Sequence, residues 1–165
     1  AVTQSRGLGR VLTEHLSAHP ELVDLVPSGD IKISGCPNGC GQHHIASIGF
    51  QGSVRKVAGK AIPQYFVMVG GGCTGDGAHF GKVVSKIPVN RLTTAVDRLL
   101  DLYKEQRQGD ENLGAFFRRV SPALATARLK DLGDLLPNEI APEDFIDLGE
   151  TQAFNPEVME GECAS

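Results

Sequence analysis

The amino-acid sequence predicts an α+β fold, with helices before and after a block of short strands. Apolar residues recur at helical spacing in residues 5–19 and 90–108, whereas apolar runs of strand length fall between residues 31 and 69. The length of 165 residues is typical of one domain with its own hydrophobic core.

The composition excludes two broad classes of protein. Hydrophobic residues make up 41% and charged residues 22%, and the formal charge of −4 argues against a nucleic-acid binder, whose surface is usually basic. No apolar run approaches the ~20 residues that a transmembrane helix needs. The first residues lack a signal-peptide pattern, and the four cysteines stand at irregular positions. We therefore expect a reducing, cytoplasmic location.

The N-terminal part predicts one helix followed by a connection. Residues 5–19 form an amphipathic helix, with Ser5 as its N-cap and Pro20 limiting its far end. Residues 21–29 are apolar, end in turn residues and predict an irregular connection.

The middle of the chain predicts strands. Residues 51–53 contain a glycine between two apolar runs, which indicates a turn between paired strands. Strands are predicted at 31–34, 45–50, 54–57, 65–69 and 82–88.

Helices are predicted again in the C-terminal part. Asn90 is expected to cap a helix over residues 90–108, and Asp110 a second one over 111–120.

A further helix follows these two. It begins at Ser121 and ends at Pro137. The acidic tail, 138–165, is expected to be irregular, either wrapping a neighbouring domain or disordered. The organisation predicted is therefore a domain over residues 1–120, then a helical segment and tail over 121–165.

The chemistry of the chain is concentrated in a turn that contains two thiols. Cys36 and Cys40 lie four positions apart, with Pro37 between them. Glycines surround the thiols and favour positive φ and close approach, which leaves neighbouring amides free to bond sulfur. The glycines are Gly35, Gly39 and Gly41.

Spacing alone leaves three chemistries open. The thiols could form a disulfide or remain unligated. They could bind zinc together with His43 or His44, although no second distant ligand pair is evident. They could also ligate an iron–sulfur cluster, which normally takes four thiolates, so that further cysteines would have to come from elsewhere.

The wider motif resembles a known family. Residues 35–42, GCPNGCGQ, and residues 45–52, IASIGFQG, closely resemble the second cysteine motif of the assimilatory nitrite and sulfite reductases. In that family, a C-x5-C pair and a later C-x3-C pair hold one 4Fe–4S cluster. The last thiolate of the second pair bridges to the iron of sirohaem.

The resemblance implies roles for individual residues. Cys36 and Cys40 would bind the cluster, Cys40 would be the bridge, and Asn38 would shape the surroundings. Relatives carry a strand that runs into paired glycines near the haem, so the glycines after residue 69 would let the macrocycle sit close. These glycines are Gly70, Gly71 and Gly72.

The resemblance also implies a fold and an activity. Relatives pack helices against one mixed sheet with the cluster turn at its edge. Residues 1–120 would then be part of the sirohaem and 4Fe–4S domain, lacking the upstream C-x5-C pair. The activity would be the six-electron reduction of nitrite to ammonia or of sulfite to sulfide, with ferredoxin or another donor. The isolated chain, without its N-terminal half, would be inactive.

Two other classes of function stay open at this point. One is a non-catalytic electron-transfer module that gains a cluster by dimerising. The other is a zinc-stabilised binding domain.

Three smaller features carry expectations of their own. Cys73 is expected to be a free, half-buried thiol, and Arg118 and Arg119 to lie on a solvated helix face. A basic cluster that could steer an acidic ferredoxin consists of Arg55, Lys56 and Lys60.

Overall fold

The computed structural model of the chain describes residues 1–26, 28–136 and 138–156. It confirms the α+β fold, because helices cover a four-stranded mixed sheet. The strands lie side by side in the order β1 (Ile31–Ser34), β2 (Ile48–Val57), β3 (Lys60–Val69) and β6 (Lys82–Pro88). β1 is parallel to β2, and the other neighbours are antiparallel. The two remaining strands, β4 (Gly72–Thr74) and β5 (Gly77–His79), form a separate hairpin.

The predicted turn at residues 51–53 is wrong. β2 continues through it, and Gly52 pairs with Tyr65 of β3. The turn lies instead at Ala58 and Gly59, whose φ angles are 49° and 79°. Gly52 is a glycine for another reason, since a Cβ there would overlap the hydroxyl of Thr3. A long-range contact, which sequence spacing does not reveal, therefore explains this glycine.

Five α-helices are present in the described part of the chain. They are α1 (Ser5–Ala18), α2 (Pro20–Leu25), α3 (Leu92–Gln106), α4 (Leu113–Arg119) and α5 (Pro122–Gly133). None of them is both long enough and apolar enough to cross a membrane. α1 begins at Ser5 as predicted, α3 and α4 are shorter than predicted at both ends, and the last helix ends four residues before Pro137.

The connection predicted at residues 21–29 is wrong, because α2 occupies most of it. Pro20 begins this helix rather than only ending the previous one, as its fixed φ suits the first helical turn. Ser5 is not a cap either. The N-cap of α1 is Gln4, whose backbone N–H donates to the carboxylate of Asp147, 143 residues away in sequence.

The predicted caps at Asn90 and Asp110 are also wrong. A 3₁₀ turn at Val89–Arg91 precedes α3, and Asn112 caps α4 by accepting from the Ala115 N–H. α5 starts next to Ser121, close to the predicted start, and Ser121 caps it by accepting from the Ala123 N–H. α5 ends at Gly133, ahead of Pro137, which lies outside the described residues.

One hydrophobic core joins the sheet to the helices. Phe50, Tyr65 and Phe116 are fully buried in it, and α5 contributes Ala125 and Leu129. The division of the chain after residue 120 stays a prediction. The α5 contacts mean only that this helix packs on the same core as the preceding elements.

The described part of the tail, residues 138–156, is largely irregular, as predicted, with one 3₁₀ turn at Pro142–Phe145. It does not extend away to a neighbouring domain. It packs on this chain's own N-terminus and on β3, and Asp144 and Asp147 are both buried there. Residues 157–165, including Cys163, lie outside the described residues.

Candidate metal centre at the cysteine turn

The two thiols of the turn differ in exposure. Cys36 is buried, with 6% of its surface exposed, whereas Cys40 is exposed, and neither is in a disulfide. The turn follows β1 and ends at a 3₁₀ turn, His43–Ile45. Cys40 can therefore be reached from solvent, whereas Cys36 is enclosed by the chain.

Only one of the three glycines of the turn has positive φ. Gly39 has φ 71°, and the other left-handed residue is Gln42, with φ 56°. The prediction of positive φ is wrong for Gly35 and Gly41. These two are small because the chain crosses itself there. A Cβ on Gly35 would lie 2.5 Å from the Thr3 carbonyl oxygen, and one on Gly41 would overlap the carbonyl of β1.

A series of hydrogen bonds, called here the hydrogen-bond chain, ties the cysteine turn to the end of β1 and to β2. The Gly41 N–H donates to the Ser34 hydroxyl at 3.0 Å, and that hydroxyl lies 2.8 Å from Nδ1 of His43. Nε2 of His43 lies 3.1 Å from Oε1 of Gln51.

The protonation state of His43 decides which group donates in each of its two hydrogen bonds. Burial lowers the pKa of His43, the Gln51 bond opposes this, and His44 lowers it further. In the neutral ring, Ser34 donates its hydroxyl hydrogen to Nδ1, and Nε2–H donates to Gln51.

This hydrogen-bond chain removes the support for zinc. Both ring nitrogens of His43 are engaged, and within residues 1–26, 28–136 and 138–156 no group of three or more His, Cys, Asp or Glu side chains is arranged to hold a metal ion. The expectation that amides beside the thiols are free to bond sulfur is wrong for two residues of the turn. The N–H groups of Gly41 and Gln42 bond to Ser34 Oγ and to the Gly39 carbonyl, respectively.

Two aromatic residues, His44 and Phe80, lie beside the turn, and the sequence reasoning missed Phe80. A Cβ on Gly39 would lie 3.3 Å from the His44 ring, so His44 adjoins the residue just before Cys40. The ring of Phe80 lies 5.5 Å from that of His44, and 69% of Phe80 is exposed. Phe80 is near the turn only because the chain returns there, and the Gly81 N–H donates to the His44 carbonyl.

The paired glycines after β3 pack against the chain itself. Gly70 has φ 85°, and its N–H donates to the Ser47 carbonyl. A Cβ on Gly71 would lie 2.6 Å from the Ala46 carbonyl oxygen. Close backbone packing thus accounts for Gly70 and Gly71, while a role of Gly70, Gly71 and Gly72 at a macrocycle stays a prediction.

Asp30 connects this glycine segment to the start of β1. Its Oδ1 accepts from both the N–H and the hydroxyl of Ser47, at 2.8 and 2.7 Å. Burial raises the pKa of Asp30, but the two Ser47 bonds and the nearby Lys32 outweigh burial, so the net shift is downward. Sequence reasoning missed Asp30 because its partner is 17 residues away.

Arg119 lies on an exposed face of α4, as predicted, where it pairs with Glu111 and donates to a backbone carbonyl. For Arg118 the prediction is wrong. Arg118 is half-buried, and its Nη1 donates to the carbonyl oxygens of Gly70 and Gly71, both at 3.3 Å. The sequence did not reveal this contact because the two glycines are far from Arg118 along the chain.

The expectations for Cys73 and the basic cluster change as well. Cys73 is free, as expected, but exposed rather than half-buried. Arg55 donates to the Gly133 carbonyl, and the Lys60 ammonium lies 5.4 Å from the Phe145 ring centroid. This cluster is at the far end of the β2–β3 hairpin. It lies about 13 to 20 Å along the strand from Gln51, which pairs with the end of β1 just before the cysteine turn.

An open pocket of about 400 Å³ adjoins the glycine segment. Basic and aromatic side chains from three elements line it, a combination that suits a flat or anionic group. Its lining includes Gly70, His79, Phe80, Lys82 and Arg118.

The thiols fit half of the ligand set of a 4Fe–4S cluster. Clusters of this type are held by four thiolates. Cys36 and Cys40 are soft donors on one short turn, and the exposed Cys40 leaves a route for metal to enter. The described residues around them offer no further group that completes a site.

Comparisons with known proteins agree with the cysteine motif. The chain is 29% identical over 127 residues to sulfite reductase (NADPH) hemoprotein beta-component 2 of Pectobacterium carotovorum, covering 72% of this chain and 20% of that protein. It is 30% identical over 102 residues to the sulfite reductase (NADPH) hemoprotein beta-component of Pectobacterium atrosepticum, covering 59% and 16%. The chain thus spans about one-fifth or less of the length of these relatives.

A solved structure shares the fold. The Mycobacterium tuberculosis NirA protein superposes with a TM-score of 0.56 at 26% identity, over 71% of this chain and 23% of that one. The family model described as "Nitrite and sulphite reductase 4Fe-4S domain" matches residues 1–123. The chain therefore belongs to the nitrite and sulphite reductase 4Fe-4S domain family, a family of oxidoreductases.

Proposed function

We propose that this chain is the C-terminal cofactor-binding part of a nitrite or sulfite reductase, in which Cys36 and Cys40 supply two of the four thiolates of a 4Fe–4S cluster. The observation that carries the proposal is the turn itself. It presents two free cysteines four residues apart within a family motif, and it has no third ligand among the described residues. The other two thiolates come from protein outside these 165 residues.

The cofactors in this proposal are the cluster and sirohaem, and Cys40 would help to hold both. The names of the two Pectobacterium relatives describe hemoproteins, which supports a haem. When bound, the two groups supply electrons singly for the six-electron reduction of nitrite or sulfite.

The chain's own residues hold and shield the site. Cys36 and Cys40 bind iron, and the bonds from Gly41 through Ser34 and His43 to Gln51 keep the turn in shape. Because Cys36 is buried, water is excluded from that side of the site. Asn38 lies between the two thiols in sequence and shapes the surroundings of the cluster.

On this proposal the macrocycle would lie against the segment of Gly70, Gly71 and Gly72. Arg118 supports this segment by bonding the carbonyl oxygens of Gly70 and Gly71. The pocket beside them offers Lys82 and the exposed ring of Phe80. The substrate is a small oxyanion bound by the rest of the enzyme, and the electron donor is ferredoxin or another carrier.

Anaerobic reconstitution tests the proposal. The purified chain is treated with iron, sulfide and sirohaem, alone and together with the remainder of the reductase. The chain alone should bind no stoichiometric cluster and reduce neither nitrite nor sulfite, whereas the combination should hold about five irons per complex, four in the cluster and one in the sirohaem, and turn over. A complete cluster and full turnover by the chain alone would overturn the proposal.

A further inference from the structure

We infer that the tail segment 141–156, called here the strap, positions the cysteine turn by clamping residues 1–5 onto Gly35, and that Asp147 is its main positioning residue. The inference rests on the proposed function only in its consequence, since holding Cys36 matters to an enzyme if Cys36 binds the cluster. The contacts themselves form one continuous path from Asp147 to Cys36.

The first step of the path joins the strap to the start of α1. Oδ2 of Asp147 accepts the Gln4 N–H at 2.7 Å, and Oδ1 accepts the Leu148 N–H at 2.8 Å. Asp147 is only 3% exposed, so its carboxylate is held inside the fold at the positive end of α1. Glu150 adds a second, exposed bond, accepting from the Gln4 side chain at 2.9 Å.

The strap also packs on the face of α1. A Cβ on Gly7 would lie 2.5 Å from the Leu148 carbonyl oxygen and 3.3 Å from the Leu148 Cβ. Gly7 is therefore the residue that lets the strap approach the helix. Gly9, two residues further along α1, has space for a side chain, because a Cβ there would meet only a side-chain methyl at 3.9 Å.

The second step joins the N-terminal segment to the cysteine turn. The Gly35 carbonyl accepts three hydrogen bonds, from the N–H of Val2 at 2.9 Å and from the N–H and hydroxyl of Thr3 at 3.0 and 3.2 Å. Gly35 directly precedes Cys36. A shift of Thr3 therefore releases the peptide group to which Cys36 is attached.

The other parts of the strap are fixed to the rigid scaffold. Asn90, before α3, donates to the Glu143 carbonyl at 2.8 Å. The Phe154 N–H donates to the Phe145 carbonyl at 2.6 Å, so the two arms of the strap are joined. The strap is consequently bonded both to the turn before α3 and to residues 1–5.

Thiol labelling of the purified chain under native conditions tests the inference. Gly7→Ala displaces the strap without removing any of its side chains, and alanine favours the helix by about 1 kcal/mol. Gly9→Ala is the matched control, with the same helix gain and no strap contact. We expect Cys36 in Gly7→Ala to react with a maleimide about tenfold faster than in Gly9→Ala, which corresponds to about 1.4 kcal/mol of local opening.

The exposed Cys73 is the internal standard, and its rate should be the same in both variants. Asp147→Ala should accelerate Cys36 similarly, and Glu150→Ala should not. Equal Cys36 rates in Gly7→Ala and Gly9→Ala would overturn the inference. An acceleration that rises steeply with urea would overturn it too, because global unfolding and not release of the turn would then expose the thiol. Labelling needs no iron, so the outcome is independent of whether the chain binds a cluster.

Discussion

The backbone N–H and the hydroxyl of Thr3 both donate to the carbonyl oxygen of Gly35, at 3.0 and 3.2 Å. Through this contact, residues 1–5 pack directly against the cysteine turn. Gly52 packs against the same contact, since any side chain there would displace Thr3. At Gly35 and Gly41 the turn is thus held by backbone from other parts of the chain.

Gly41→Ala should destabilise the chain, because the added Cβ overlaps the Ile33 carbonyl inside the turn. We expect a loss of about 3 kcal/mol in the free energy of unfolding, as for an overpacked core position. Gly75→Ala is the control, since nothing lies within 4 Å of a Cβ there. Denaturant unfolding measures both, and similar values for the two variants would mean that the turn is not packed in this way.

Ser34→Ala should cost about 2 kcal/mol, because it leaves the half-buried Gly41 N–H and the buried Nδ1 of His43 without their shared partner. Thr13→Ala removes a hydroxyl that bonds to a carbonyl on an exposed helix face, and it should change stability by no more than about 0.5 kcal/mol. Equal costs in urea unfolding would show that the hydrogen-bond chain under the turn contributes nothing.

His43 should make stability depend on pH. Burial lowers its pKa in the folded state below the ordinary value of 6.5, so the unfolded chain binds a proton first as the pH falls. The stabilisation is therefore complete above pH 6.5 and is lost as the pH falls from 6.5 through the folded-state pKa. Imidazole NMR titration reports the pKa directly. A His43 resonance that titrates at or above 6.5 would contradict the buried, neutral ring.

Arg118→Ala should loosen the glycine segment, because the guanidinium bonds the Gly70 and Gly71 carbonyls. Loss of about 1 kcal/mol locally should speed amide exchange of Gly70 several-fold. Arg119→Ala removes a partly exposed ion pair with Glu111 and should leave Gly70 exchange unchanged. Exchange measured by NMR would refute this contrast if the two variants behaved alike.

The sequence was sufficient for features that depend on local pattern. The cysteine turn was found because its thiols, proline and glycines are contiguous, and β1 and β6 were predicted with their observed bounds. Periodicity likewise located α1 and α3 to within a few residues.

Features that depend on distant partners were not predictable in this way. Gly52 indicated a turn, but it is a mid-strand glycine because Thr3 packs on it. The sequence placed Asp147 in an acidic, irregular tail, yet Asp147 is buried, and its carboxylate accepts the backbone N–H of Gln4. In each case one residue has two local interpretations, and only a contact made by folding selects between them.

The central claim is that Cys36 and Cys40 bind iron, and iron stoichiometry tests it most directly. The chain is reconstituted anaerobically with the remainder of the reductase, as wild type and as Cys36→Ser, Cys40→Ser and Cys73→Ser. We predict about four cluster irons per complex, counted apart from the sirohaem iron, in the wild type and in Cys73→Ser, and loss of the cluster in the other two variants. Retention of a full cluster by both Cys36→Ser and Cys40→Ser would contradict the account.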